Sequence, residues 1–216
     1  MLIRPGLTDY YGIALQQAEL DFAIPFFDED TPLYLDPFLL WRSPSQPDQA
    51  LHTSLINAFN HLGVLERKGE GEKAVSTLIA ASECDEVGMG SSVKRKGKRL
   101  GRNKATEVIS LFCRIPQYRD YGFRHFEEIR LYIDGIAKDR ISDISCNFLK
   151  SFLIDFTIDQ CTRLGIPTEI SSVKNVYDYR SNTFKDDQYN LPINPTDQST
   201  TLCAQEMAKV HSLVEL

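Results

Sequence analysis

Three carboxylates and a guanidinium fall within ten residues at Asp134, Asp139, Arg140 and Asp143, directly after the apolar run Leu131-Tyr132-Ile133. A strand that ends in a turn and a helix start is where α/β folds present ligand-binding groups. Hard divalent cations take carboxylate oxygens. Asp134, Asp139 and Asp143, with Arg140 to neutralise a phosphate, would therefore suit a magnesium- or manganese-dependent phosphodiesterase or nuclease. Each aspartate also has an ordinary explanation as a turn former or helix cap. A restriction-type core would add a lysine two positions after an acidic strand residue, and Asp134-Gly135-Ile136 lacks it.

The turn leads into an apolar stretch that the periodicity predicts as one buried helix over about 143–164, ended by Gly165. At about 100° per residue, Asp155 and Asp159 fall on the side of Phe148, Phe152 and Phe156. A lone buried carboxylate costs several kcal/mol unless paired or protonated. Asp155 and Asp159 are therefore expected either to reach solvent at the helix end, to form a structural ion pair, or to join Asp134 as metal ligands.

A second chemistry resides in Lys94-Arg95-Lys96-Gly97-Lys98-Arg99-Leu100-Gly101-Arg102-Asn103-Lys104. Seven of these eleven residues are Lys or Arg, in a chain whose formal net charge is −6. Glycine hinges let amides and side chains follow a phosphate backbone, and a following helix N-terminus adds partial positive charge. Lys94, Arg95, Lys96, Lys98, Arg99, Arg102 and Lys104 are thus candidate contacts to DNA or RNA, without base specificity from this loop. The alternatives are a solvated loop and one that docks on an acidic protein partner. It is not a nucleotide-binding P-loop, because Lys98 is followed by Arg99 instead of Ser or Thr. Gly88 and Gly90 lack the third glycine of a dinucleotide fingerprint.

The elements that must position these groups are legible in part. Thr8 or Asp9 could cap a helix over 7–22, and Leu33-Tyr34-Leu35-Asp36-Pro37 reads as a strand resembling Leu131 to Gly135, its neighbour in one sheet. Asp48 could cap a helix with Leu51, Leu55, Phe59 and Leu62 on one face. Ala74, Val75, Leu78 and Ile79 mark a shorter helix, and Asn103 could cap another through Phe112. Residues 85–103 read as a mobile loop, and Ile166 to Ile170 as a strand completing a crossover unit with the helix before it. Tyr179 to Pro195 reads as a loop and 200–214 as a last helix. The expected architecture is a single α/β or α+β domain over 1–178, a small sheet with packed helices, followed by an extension over 179–216.

Composition bounds the rest. With 216 residues, 42% hydrophobic and 25% charged, the chain can bury a core without staples. Five scattered cysteines without a Cys-x-x-Cys pair argue against a disulfide framework and a zinc site. The four histidines are isolated. No signal-like or membrane-spanning stretch is present, so a cytoplasmic location away from the membrane is expected. The Asp-Pro-terminated run, the basic glycine loop and the Asp134 to Asp143 turn together loosely resemble bacterial proteins of restriction or phage-defence loci, a resemblance that transfers no residue role. The expected function is nucleic-acid association through the basic loop, as a metal-dependent nuclease or a subunit of a nuclease or defence system. The alternative is a non-enzymatic subunit that docks other proteins.

Overall fold

A computed structural model describes residues 6–27, 30–31, 33–87, 89 and 99–194. Lys94, Arg95, Lys96 and Lys98, and the expected helix over 200–214, lie outside them. The helices are α1 (Leu7–Tyr10), α2 (Pro37–Arg42), α3 (Gln46–Arg67), α4 (Gly71–Ala81), α5 (Arg102–Arg114), α6 (Pro116–Tyr121), α7 (Lys138–Phe148) and α8 (Lys150–Leu164). β1 (Glu169–Asp178) and β2 (Thr183–Leu191) follow as an antiparallel pair. The architecture is therefore a mixed helix and sheet domain with one small sheet, as expected.

The three-to-four spacing of apolar residues is realised as packing. Leu55, Phe59 and Leu62 of α3, Ala74, Val75 and Leu78 of α4, and Ala105, Val108 and Phe112 of α5 enter one core. Ser45, not Asp48, caps α3, its hydroxyl accepting from the Asp48 amide at 3.5 Å. Gly101, not Asn103, precedes α5 and provides no side-chain cap. Gly165 ends α8 in the left-handed conformation, at φ 68°, and the Ile166 amide donates back to the Cys161 carbonyl at 2.9 Å.

The expectations for 33–37 and 131–135 are corrected. Neither is a strand. Phe126–Leu131 forms a 3₁₀ segment. Its buried residues Phe126 and Ile129, with Ile133 beyond, are spaced three and four apart, whereas Leu131 and Tyr132 are exposed. That is a helical rhythm, and strand alternation would have hidden Leu131 with Ile133. Leu33 to Asp36 runs as irregular backbone, its Leu35 amide donating to Ser142 Oγ at 2.9 Å. Asp36 then caps α2, accepting from the Phe38 amide at 3.0 Å with Pro37 in the first turn. The only sheet among the described residues is the β1–β2 hairpin, so no crossover unit forms there.

The helix expected over 143–164 starts at Lys138 and is broken at Leu149, so Ser142 and Asp143 lie inside α7 instead of capping it. The Phe148 carbonyl, which an unbroken helix would give to the residue 152 amide, accepts from Tyr179 Oη at 2.6 Å. The helix expected over 7–22 stops at Tyr10, and Gly12 turns the chain at φ 64°. Leu7, Leu20 and Phe22 instead form a small cluster with Cys161 and Ile166. The loop expected after Tyr179 contains β2, which joins the same domain through β1. Among the described residues no helix is long and apolar enough to cross a membrane.

Candidate phosphate site and carboxylate cleft

The backbone on either side of the basic segment is tied down by several side chains, and residues 81–86 and 99–100 form its stem. Arg140 of α7 donates to the Ser82 carbonyl and, at 3.4 Å, to Asp143 Oδ2. Two turns on, Asn147 Nδ2 donates to the carbonyls of Ala81 and Glu83 at 2.9 and 2.6 Å. A further turn on, at the start of α8, the buried ammonium of Lys150 meets Glu86 Oε2 at 3.0 Å and the Lys174 carbonyl at 2.9 Å. The returning strand of the loop is secured at the same point, because the Leu100 amide donates to Ser82 Oγ at 2.8 Å and Arg99 pairs with Glu83 at 3.2 Å. Ser82 and Leu100, on either side of the basic segment, are thereby held together shortly before α5, while Cys84 and Val87 between them are buried in the core. Arg99 and Arg102 are exposed and Lys104 half-buried. Arg102 pairs with Glu72 and Lys104 with Glu107 at the surface, and such pairs are weak enough to exchange for phosphate.

The sequence-derived catalytic residues divide between the two sites. Asp139, in the first turn of α7, accepts from the Arg140 amide at 2.8 Å. Arg140 and Asp143 work on the loop stem. Asp134 is exposed in the turn where Gly135 adopts φ 78°. Asp155 and Asp159 are exposed on α8, whose buried face is Lys150, Leu153, Ile154, Thr157 and Cys161. Among the described residues no three His, Cys, Asp or Glu side chains are placed to hold a metal, so Asp134, Asp155 and Asp159 do not form a ligand set, and neither do Asp134, Asp139 and Asp143. The first failure arises within α8, where Phe152 and Phe156, taken as marking the core side, are only half-buried and the buried stripe lies opposite the two aspartates.

A feature absent from the sequence expectations is a cleft of about 690 Å³ between residues 33–38 and 127–141. Both Leu-Tyr-x-Asp runs line it, as facing walls rather than paired strands. Leu35, Ile133, Ile136 and Ile141 are its buried apolar part, and Asp36, Arg130, Asp134 and Lys138 are exposed along it. Glu127 also lines the cleft. Neither of its buried oxygens is placed for a hydrogen bond from another described residue. His125 Nδ1, at 3.6 Å, is too distant to donate one. Burial pushes this carboxyl up to about 7 against the pull of its own backbone N–H, with Asp36 and Glu128 adding to the rise. Its sequence signal was faint, the first of two adjacent acids, Glu127 and Glu128, at the end of an aromatic-rich stretch.

Asp143 is likewise pushed up to about 7, by burial first, with Arg140 opposing and Asp139, Glu83 and Asp30 reinforcing. A carboxyl whose folded pKa lies above its unfolded value binds more protons when folded. These groups therefore withdraw stability as pH rises from about 4 to about 7, and the loss is complete above that. Glu127→Gln should accordingly match the native protein near pH 4 and exceed it near pH 7.5 by on the order of 2 kcal/mol. Urea unfolding at the two pH values measures the difference, and a constant offset would refute the assignment.

A family model described as a domain of unknown function (DUF8370) matches residues 12–211. No curated protein and no solved structure matches the chain.

Proposed function

We propose that this chain, which belongs to the DUF8370 family, binds nucleic acid through the phosphate backbone, using the basic segment Lys94 to Lys104. One observation carries the reading. Seven Lys and Arg residues in eleven end beside the Ser82–Leu100 contact and run directly into the N-terminus of the 13-residue α5, which no side chain caps. A cationic loop with fixed ends loses less entropy on binding than a free tail, and the first amides of α5 attract anions. Phosphate contacts position without specifying, so the expected binding is indifferent to sequence. Arg140 and Asp143 act in this reading as supports of the stem. Duplex and single-stranded DNA and RNA, end-labelled and mixed with the full chain, test it in chelator and in Mg²⁺ or Mn²⁺. The expected result is a shift in chelator that weakens steeply with salt, by roughly 0.9 log unit per log unit of salt for each duplex phosphate engaged. No shift at low salt overturns the reading. Metal-dependent cleavage would require a ligand set other than Asp134, Asp139 and Asp143, which are not placed to hold a metal.

A further inference from the structure

We propose that the cleft between residues 33–38 and 127–141 binds a small organic cation, an ammonium group carried on an apolar body. Its volume, about 690 Å³, lies in the range of small-molecule sites. Leu35, Ile133, Ile136 and Ile141 offer apolar surface to the body, and Phe38, whose ring already has the Arg42 guanidinium 5.9 Å above it, adds an aromatic ring to the lining. The charge is asymmetric. Asp36, Glu127, Glu128 and Asp134 stand against Arg130 and Lys138.

The four carboxylates are not equivalent. Asp36 is engaged as the cap of α2, and Glu128 Oε2 accepts from Tyr118 Oη at 3.0 Å. Glu127, half-buried beside the cleft, alone among them has both oxygens shielded from water without a donor from another described residue, with His125 Nδ1 the nearest basic atom at 3.6 Å. A buried acceptor without a donor is destabilising, and an ammonium ligand removes that penalty while Asp36 and Asp134 add their field. A phosphate-bearing ligand would meet the opposite balance. The site uses none of the basic-loop residues, so it stands or falls separately from nucleic-acid binding.

The single tryptophan supplies a readout. Trp41 lies with its ring 5.3 Å from Phe38, which lines the cleft. Benzylamine and hexylamine, titrated into the full chain at about pH 8 and followed by Trp41 emission and calorimetry, should bind about tenfold more tightly than benzyl alcohol, with no binding of hexanoate. Glu127→Gln, which keeps the shape, should weaken benzylamine about tenfold, and Asp134→Asn, at an exposed position, about threefold. Should Glu127→Gln not fold, Asp134→Asn decides alone. The proposal is overturned if benzyl alcohol, hexanoate or adenosine monophosphate binds as tightly as the amines. It is equally overturned if both substitutions leave the amine affinity unchanged, or if no amine binds by about 10 mM.

Discussion

Glutamate at positions 94, 95 and 98 is expected to abolish retention of DNA and RNA at about 0.1 M salt. Each reversal removes one cation and adds one anion. Losing three duplex phosphate contacts should flatten the dependence of log affinity on log salt by roughly 2.7, and the added anions lower the affinity further. Arg99 is left intact because it pairs with Glu83 at 3.2 Å and helps close the stem. Arg99→Ala should therefore lower affinity by both routes, whereas Lys94, Arg95 and Lys98 test charge alone. Electrophoretic shifts over a salt series give the slope. A triple variant with the native slope would show that nucleic acid, if bound, is held elsewhere.

The second large effect concerns stability. Lys150 is 1% exposed, and its ammonium joins α8 to the loop stem through Glu86 and to β1 through the Lys174 carbonyl. Burial pulls its pKa down, but the neighbouring Glu86 charge and hydrogen bond, with the thiols of Cys84 and Cys146, leave it raised. Its contribution is therefore fully present at neutral pH and is lost only as pH rises above the ordinary lysine range. Lys150→Met keeps most of the volume and leaves two acceptors without their donor, which should cost about 3–5 kcal/mol in urea unfolding. Adding Glu86→Gln should recover a large part of that loss, because the uncompensated charge is then gone. A Lys150→Met variant within about 0.5 kcal/mol of native would show that the pair is no more than a surface contact.

Coupling between the two sites is built from the same few residues. The 31–36 segment touches the loop through the Thr31–Met89 bridge and α7 through Ser142, and its Leu35 and Asp36 continue into the cleft wall. Arg140 and Asn147 hold the other side of the stem from α7. Weakening α7 should therefore disturb loop and cleft together, whereas substitutions of exposed Asp155 or Asp159 on α8 should disturb neither.

Helix rhythm was readable wherever one face packs and the other meets water, as in α3, α4 and α5, where local spacing alone selects the buried stripe. The basic segment was equally plain, because charge density is a property of composition. β2 escaped because Lys185, Asp186, Asp187 and Gln188 are all exposed, leaving no apolar alternation to detect. The two Leu-Tyr-x-Asp runs were recognised as related but given the wrong conformation, since a short apolar run reads equally as strand or helical turn. They met across a cleft through tertiary packing.

The sequence by itself determined the helical stripes, the left-handed stop at Gly165 and the concentration of positive charge before α5. Those follow from backbone stereochemistry and from residues adjacent in the chain. Only the tertiary structure decided that Tyr179 would capture the Phe148 carbonyl, and that α8 would bury Leu153, Ile154, Thr157 and Cys161 and leave Asp155 and Asp159 exposed. It also set Arg140 and Asp143 to work on a loop stem rather than on a metal, and left Glu127 without a donor beside an apolar cleft. Each of these outcomes depends on a contact between residues at least thirty positions apart or on the exclusion of water, and neither quantity is carried by local spacing.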